Sequence, residues 1–296
     1  MIDLHIHTDA SSDGVHSPDE IFRMITDTFG SAAALSFADH DSVQNVPRGI
    51  SLSHETGIPF VSGVELSATH SSTDVHILGY GIDHESRALV NLLDGMLDRA
   101  LTQTERRVEL LRALGFALDS EDVFSESKER APTGRSFLAA LKKRTENKHN
   151  RKLARYVDGD RSDSPSLNFY QDYLAGGKPA YAPISGTEAA RIIGVIREAS
   201  GVAILAHPGE YTDETIHDMI DLGIDGLEVW SGHHDASDRN KILDLARTRG
   251  LLITAGSDFH GKAVKPNIEL GVETDNEAEI YSALITAIRH RRTATE

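Results

Sequence analysis

Ile2-Asp3-Leu4-His5-Ile6-His7-Thr8 decides how the rest of the chain is read. Its apolar residues suit a short buried strand. His5 and His7 alternate along it, so both imidazoles project to one side. Working outward, Ser17-Pro18-Asp19-Glu20 opens a helix: Ser17 suits the N-cap, Pro18 the first helical position, and Glu20 completes a capping box. Ala32 to Phe37 reads as the next strand, ending at Ala38-Asp39-His40-Asp41, and a helix runs to about Glu55 before Gly57 and Pro59 stop it. Phe60 to Val64 forms a third strand that ends at Glu65, and Val75 to Tyr80 a fourth, with His76 at its start. Strand alternating with helix predicts βα units and a mostly parallel sheet or barrel.

The rhythm breaks over residues 84–183. Leu89 to Leu114 repeats apolar residues at helical spacing up to a C-capping Gly115, and Lys142 to Ser166 is charged and polar, reading as an exposed helix and loop. After Pro183 the rhythm returns. Strands are expected at Val202–Leu205, Gly226–Val229 and Leu251–Thr254, with helices between them and a last helix from about Glu277 to His290. The expected organisation is an α/β barrel in two parts, 1–83 and 184–296, around an inserted helical subdomain, 84–183, that serves as substrate or lid region.

Composition narrows the function. Hydrophobic residues make up 39% of the 296, enough for a packed core, and the absence of cysteine excludes disulfides, thiolate nucleophiles and Cys-based zinc sites. A net charge of −16 argues against a broad basic surface for coating nucleic acid. It leaves room for a small phosphorylated substrate, because divalent cations invert the sign of a local site. No apolar run reaches membrane-spanning length and no signal peptide is evident, so a cytoplasmic protein is expected.

Nearly every notable His, Asp or Glu falls at the end of an expected strand, where parallel α/β barrels assemble their active sites. Taken singly the signals are weak. His-x-His on a strand is a common start to a metal site, Asp13 in Ser11-Ser12-Asp13-Gly14 alone suits turn chemistry, and His76 alone suits a satisfied core histidine. His207 ends a strand in Leu205-Ala206-His207-Pro208, and Asp258 and His260 repeat the alternation of His5 and His7. Nine such residues (His5, His7, Asp13, His40, Glu65, His76, His207, Asp258 and His260) exceed the needs of one tetrahedral ion. They suit two or three ions sharing a carboxylate. Nitrogen and carboxylate donors without thiolates favour Mn, Fe or Zn.

The segments Asp3–Thr8, Ser12–Gly14, Ala38–Asp41, Gly63–Glu65, Ala206–Pro208 and Gly256–Gly261 together resemble the PHP (polymerase and histidinol phosphatase) superfamily. Val75–Asp83 and Gly177–Tyr181 resemble its stand-alone nucleotide phosphoesterases. The resemblance implies a distorted (β/α)7 TIM-like barrel and a trinuclear site. It would place His5, His7, Glu65 and Asp258 on one ion, Asp13, His40 and His260 on a second, and Glu65, His76 and His207 on a third. It further implies Arg135, in Pro132-Thr133-Gly134-Arg135-Ser136, as a phosphate-binding residue, and His234 in preference to His233 as a histidine near the phosphate. Relatives often carry a histidine two residues after that arginine; Phe137 stands there in this chain. Tyr181 is a candidate for stacking a base.

The implied reaction is attack of metal-activated hydroxide on phosphorus, releasing phosphate from a nucleoside 5′-monophosphate or 3′,5′-bisphosphate, with a short oligonucleotide end as a further substrate. Histidinol-phosphate phosphatase is the nearest alternative. An amidohydrolase would want a bridging lysine at a strand end, and none is seen. A non-catalytic metal-binding module would tend to have lost ligands that this chain keeps.

Overall fold

The computed structural model describes residues 1–11, 13–71, 73–127, 130–183, 186–274 and 276–295. The chain divides into two compact units, Met1–Leu93 with Gly186–Glu296, and Asp94–Ser185.

The first unit is built on seven strands whose spatial order is their chain order: β1 Asp3–Ile6, β2 Leu35–Phe37, β3 Phe60–His70, β4 Thr73–Tyr80, β5 Val202–Leu205, β6 Gly226–Ser231 and β7 Leu252–Gly256. The array curls until its ends meet. Asp258 N donates to His5 O (2.8 Å) and His7 N to Phe259 O (2.9 Å), so the segment after β7 pairs with β1 and nearly closes a barrel. Around it lie α1 Pro18–Phe29 and α2 Val46–Thr56, then, from the second part of the chain, Ala189–Glu198, Asp213–Asp221, Ala236–Arg249 and Glu277–Thr295. The Ser17–Glu20 capping box is formed as read, and Gly57 ends α2 in the left-handed conformation. Leu4, Leu78, Ile204 and Ala255 are fully buried in one core cluster. Ile6, Phe22, Phe37 and Phe259 form a second.

Two strands differ from expectation. β3 runs on past Glu65 to His70, and β4 lies antiparallel both to it and to β5. Glu65 and His76 therefore stand inside a long hairpin and not at parallel-strand ends. Alternation predicts which faces a strand presents but carries no information on its direction.

The second unit packs its own core. Helix α3 (Arg87–Ala113) enters it, followed by α4 Ser120–Ser127, α5 Gly134–Lys143, α6 Arg151–Ala154 and α7 Pro165–Phe169. Phe116, Phe137, Leu141, Tyr156 and Phe169 are buried together. Part of the polar stretch 142–166 thus belongs to a core: Leu153 and Tyr156 are buried, where an exposed helix and loop were expected. Phe137 is fully buried in this core, so the residue at the position where relatives carry histidine acts here as packing. Among the described residues, no helix is long and apolar enough to cross a membrane.

Candidate metal centre

All nine expected ligands lie in the barrel unit, and their polar atoms converge. Three groups of donors have all their atoms within 4.8 Å of one another: His5, His7, Glu65 and Asp258; His7, Asp13, His40 and His260; and His40, Glu65 and His76. His207 adjoins them, with Nε2 3.3 Å from Glu65 Oε1. Of the Ser12-Asp13-Gly14 turn, Ser12 lies outside the described residues.

Backbone pairing explains the convergence. Asp41 N donates to Glu65 O (2.8 Å) and Glu65 N to Asp39 O (3.2 Å), which sets His40 beside Glu65. The β1–β7 closure sets His5 and His7 beside Asp258 and His260. Glu65 then sits at the centre: Oε2 lies 3.3 Å from His5 Nε2, 3.2 Å from His7 Nε2 and 2.9 Å from His40 Nδ1, and Oε1 lies 3.0 Å from His76 Nδ1. The carboxylate is fully buried.

These short distances are not hydrogen bonds. Asp13 Oδ1, His40 Nδ1, Glu65 Oε2, His76 Nδ1, Asp258 Oδ1 and His260 Nε2 are all buried without a hydrogen-bond partner. Such orphans are costly unless something else satisfies them. Lone pairs aimed at common points, rather than at each other's protons, are the arrangement a cation satisfies. The outer nitrogens agree. His5 Nδ1 meets Glu228 Oε1 at 3.0 Å, His7 Nδ1 meets Ser11 Oγ at 2.9 Å, and His260 Nδ1 meets Asp258 O at 3.0 Å. The Glu228 carboxylate and the Asp258 carbonyl only accept, so they fix a proton on Nδ1 of His5 and His260 and turn an Nε2 lone pair inward, while Ser11 Oγ holds the ring of His7. The donor set fits divalent metal ions.

Electrostatics without cations are strained in both directions. Burial, reinforced by the neighbouring His260 and His40, pushes His7 down to about 4. His40 is partly buried, which lowers it, yet Glu65 and Asp13 overcome that and raise it to about 10. Burial would raise Glu65, but the imidazoles around it hold its carboxyl well below the usual range. Two cluster residues also adopt left-handed backbone, Asp258 at φ 61° and His207 at φ 29°. For residues other than glycine this conformation costs about 1–3 kcal/mol and persists where surroundings enforce it. His207 is held by its N–H donating to Glu228 Oε2 (2.9 Å), and Asp258 by its N–H donating to His5 O.

Glu228 is a functional residue that the sequence reading missed. It is fully buried on β6, orients His5 with one oxygen and fixes the His207 backbone with the other. Its signal is a lone acid in the apolar strand Gly226-Leu227-Glu228-Val229. A Glu228→Gln variant is expected to lose about 10–100-fold in metal affinity while staying folded, read by competition with a metal-binding dye. Lys265, Glu210 and His233 were missed as well. Lys265 Nζ and His233 Nε2 both meet Asp258 Oδ2, the latter at 2.6 Å, and Glu210 bridges His207 and His233.

The expectation for His234 is corrected. Its Nδ1–H donates to Val229 O (2.9 Å), its Nε2 accepts from Gly209 N (2.9 Å), and the residue is only 7% exposed. Both ring nitrogens serve the backbone, and it is His233 that faces the cluster. Both residues lie in the turn that follows β6, where His234 N donates to Ser231 O (3.2 Å), and strand alternation does not extend into a turn. Arg135 and Tyr181 belong to the other unit, Arg135 exposed in the first turn of α5 and Tyr181 exposed near that unit's end.

No family model matches the chain. A 3′,5′-nucleoside bisphosphate phosphatase of Chromobacterium violaceum is 30% identical over 267 residues, covering 88% of this chain and 87% of its own. The chain belongs to the PHP superfamily. A second relative of this PHP protein, the 5′-3′ exoribonuclease Rnm of Salmonella typhimurium, is 29% identical over 280 residues, covering 92% of this chain and 88% of its own. Among solved structures, a Chromobacterium violaceum protein described as an amidohydrolase, with bound sulfate and no metal, superposes with a TM-score of 0.77 and 26% identity over 97% of this chain and 96% of that one. Lys265, the lysine that reaches this PHP site, pairs with the outer oxygen of Asp258.

Proposed function

We propose that this PHP enzyme releases phosphate from nucleotides, a nucleoside 3′,5′-bisphosphate or a 5′-monophosphate, using two or three divalent ions of Mn, Fe or Zn. The chain is a phosphoester hydrolase, as its relatives are named. The observation that carries the reading is the buried donor cluster that shares Glu65. In this reading His5, His7, Glu65 and Asp258 hold one ion, Asp13, His40 and His260 a second, and Glu65, His76 and His207 a third. When bound, such ions supply Lewis-acid charge for phosphoryl oxygens and make hydroxide available near neutral pH.

The chain's own groups do the rest. Glu228 and Ser11 keep His5 and His7 turned inward. Lys265 and His233 occupy the outer oxygen of Asp258, leaving Oδ1 for the cluster. His233, 22% exposed, carries a ring nitrogen at the cluster and is assigned the proton for the leaving oxygen at Nε2. Arg135 takes a phosphate of the substrate as a forked donor, and the Asp94–Ser185 unit with Tyr181 selects the nucleotide. Two adjacent substitutions separate these roles. His233→Asn is expected to lower kcat about 10²-fold or more with an unchanged melting temperature. His234→Ala is expected instead to lower stability by about 1–3 kcal/mol, because it strands the buried carbonyl of Val229 and removes the acceptor of the Gly209 N–H.

The relation to an exoribonuclease favours a second substrate form, the terminal nucleotide of a short RNA. Phosphate and nucleotide release should therefore be measured from adenosine 5′-phosphate, adenosine 3′,5′-bisphosphate, a short 5′-phosphorylated RNA and histidinol phosphate, each with and without chelator. Chelator-sensitive release from the bisphosphate or monophosphate is expected. Turnover of histidinol phosphate alone, or release that ignores chelator, would overturn the reading.

A further inference from the structure

Asp39 precedes the expected ligand His40 in the chain, yet its carboxylate serves another segment. It lies just after β2 and is only 1% exposed. Oδ1 accepts from Thr8 N (2.6 Å) and Ser11 N (3.1 Å), and Oδ2 accepts from Thr8 Oγ1 (2.7 Å). Thr8 Oγ1 in turn accepts from Asn45 Nδ2 (2.8 Å) and Ala10 N (3.1 Å). With both lone pairs of that hydroxyl taken, its proton goes to Asp39. The chain after β1 is thus wrapped around one buried carboxylate, and the wrapped segment ends at Ser11.

Ser11 Oγ is where this segment meets the metal centre. It accepts from His40 N (2.8 Å) and lies 2.9 Å from His7 Nδ1. A hydroxyl oxygen has two lone pairs and one proton. The His40 N–H takes one lone pair, so either the second lone pair or the proton meets His7. If Ser11 gave the proton, neutral His7 would carry its hydrogen on Nε2, facing Glu65 Oε2 (3.2 Å) and Asp258 Oδ1 (3.1 Å). The ring would then offer the centre an N–H. If Ser11 gives the lone pair, Nδ1–H donates outward and the Nε2 lone pair faces the centre. The Ser11 proton then needs another acceptor. Asp39 supplies it: the carboxylate already holds Ser11 through the backbone N–H, and the Ser11 hydroxyl bonds to the same carboxylate. An ionised carboxylate only accepts, which settles the direction of that bond.

We propose that Asp39 is a positioning residue of the metal centre: by taking the Ser11 hydroxyl proton it makes Ser11 Oγ the acceptor of His7 Nδ1–H and leaves the His7 Nε2 lone pair for an ion. Asp39 does for His7 through one hydroxyl what Glu228 does for His5 by direct contact. The proposal rests on the reading that His7 holds an ion.

The test compares the full chain as wild type, Asp39→Asn, Ser11→Ala and the double variant. Each is stripped with chelator and titrated with Zn²⁺ against a metal-binding dye. Asparagine keeps the shape of aspartate, removes the charge and sets an amide N–H where an oxygen accepted. Asp39→Asn is expected to bind zinc about 10–100-fold more weakly while staying folded. In the Ser11→Ala background it should cost little more, because the path to His7 is already cut. In zinc-loaded protein carrying nitrogen-labelled histidine, the wild-type His7 Nδ1–H signal is expected at low field and slow to exchange with water. In Asp39→Asn it should move upfield and exchange faster. An Asp39 that only braced the loop would lower the melting temperature and leave both the zinc affinity and the His7 signal of the folded protein as in wild type. That result would overturn the proposal, as would full additivity of the two losses in the double variant. Should Asp39→Asn fail to fold, Ser11→Ala carries the test: the same weakening is expected, and unchanged zinc affinity would overturn the path through Ser11. A wild-type protein that binds no zinc would instead sink the metal centre itself.

Discussion

In a Glu65→Gln variant, phosphate release is expected to fall by about 10²–10³-fold or more, with metal binding reduced below the wild-type count. Glutamine has the shape of the glutamate but one acceptor oxygen and no charge. Glu65 is the residue that both its oxygens tie to the rest: Oε2 faces His5, His7 and His40, and Oε1 faces His76 and His207. An amide would set an N–H against one of those groups of lone pairs and repel a cation there. The fold should survive, since the backbone of Glu65 keeps its bonds to Asp39 and Asp41. Steady-state kinetics beside elemental analysis and a melting curve would check all three parts. Wild-type turnover by this variant would remove Glu65 from the centre of the account.

Asp258→Asn is expected to cost about 10³-fold in kcat/KM with little change in structure. Asparagine is the apt replacement because Asp258 sits at φ 61°, a conformation that Asn tolerates and that alanine would strain. The substitution removes the charge that faces His5 and His7 through Oδ1 and Lys265 and His233 through Oδ2. It therefore weakens the ion site and leaves Lys265 and His233 without their carboxylate partner. A merely structural role would appear instead as a lowered melting temperature with near-normal turnover by the surviving folded protein.

Much of this was legible in the chain. Ser17, Pro18 and Glu20 announced α1 because capping is local chemistry. The alternation of His5 with His7 and of Asp258 with His260 announced a shared face because a strand's period is fixed. What stayed hidden depends on long-range pairing. The antiparallel course of β4 is one case, since no residue pattern encodes strand direction. The exchange of His233 for His234 is another, since the two lie in the turn after β6, where strand alternation no longer tells which side chain turns to the cluster. Glu228 looked like one acid among 46 until its two oxygens were placed against His5 and the backbone of His207. Tyr156 and Leu153 were concealed in a polar stretch: both go to one core, while Val157 beside them is exposed.

The most direct test is to strip the protein with chelator, reload it with Mn²⁺ in steps, and follow phosphate release from adenosine 3′,5′-bisphosphate against ions bound per chain. The account predicts no release from the stripped protein, and activity that rises only as more than one ion per chain is bound. Full activity in the metal-free protein, or a plateau at a single ion per chain, would contradict it.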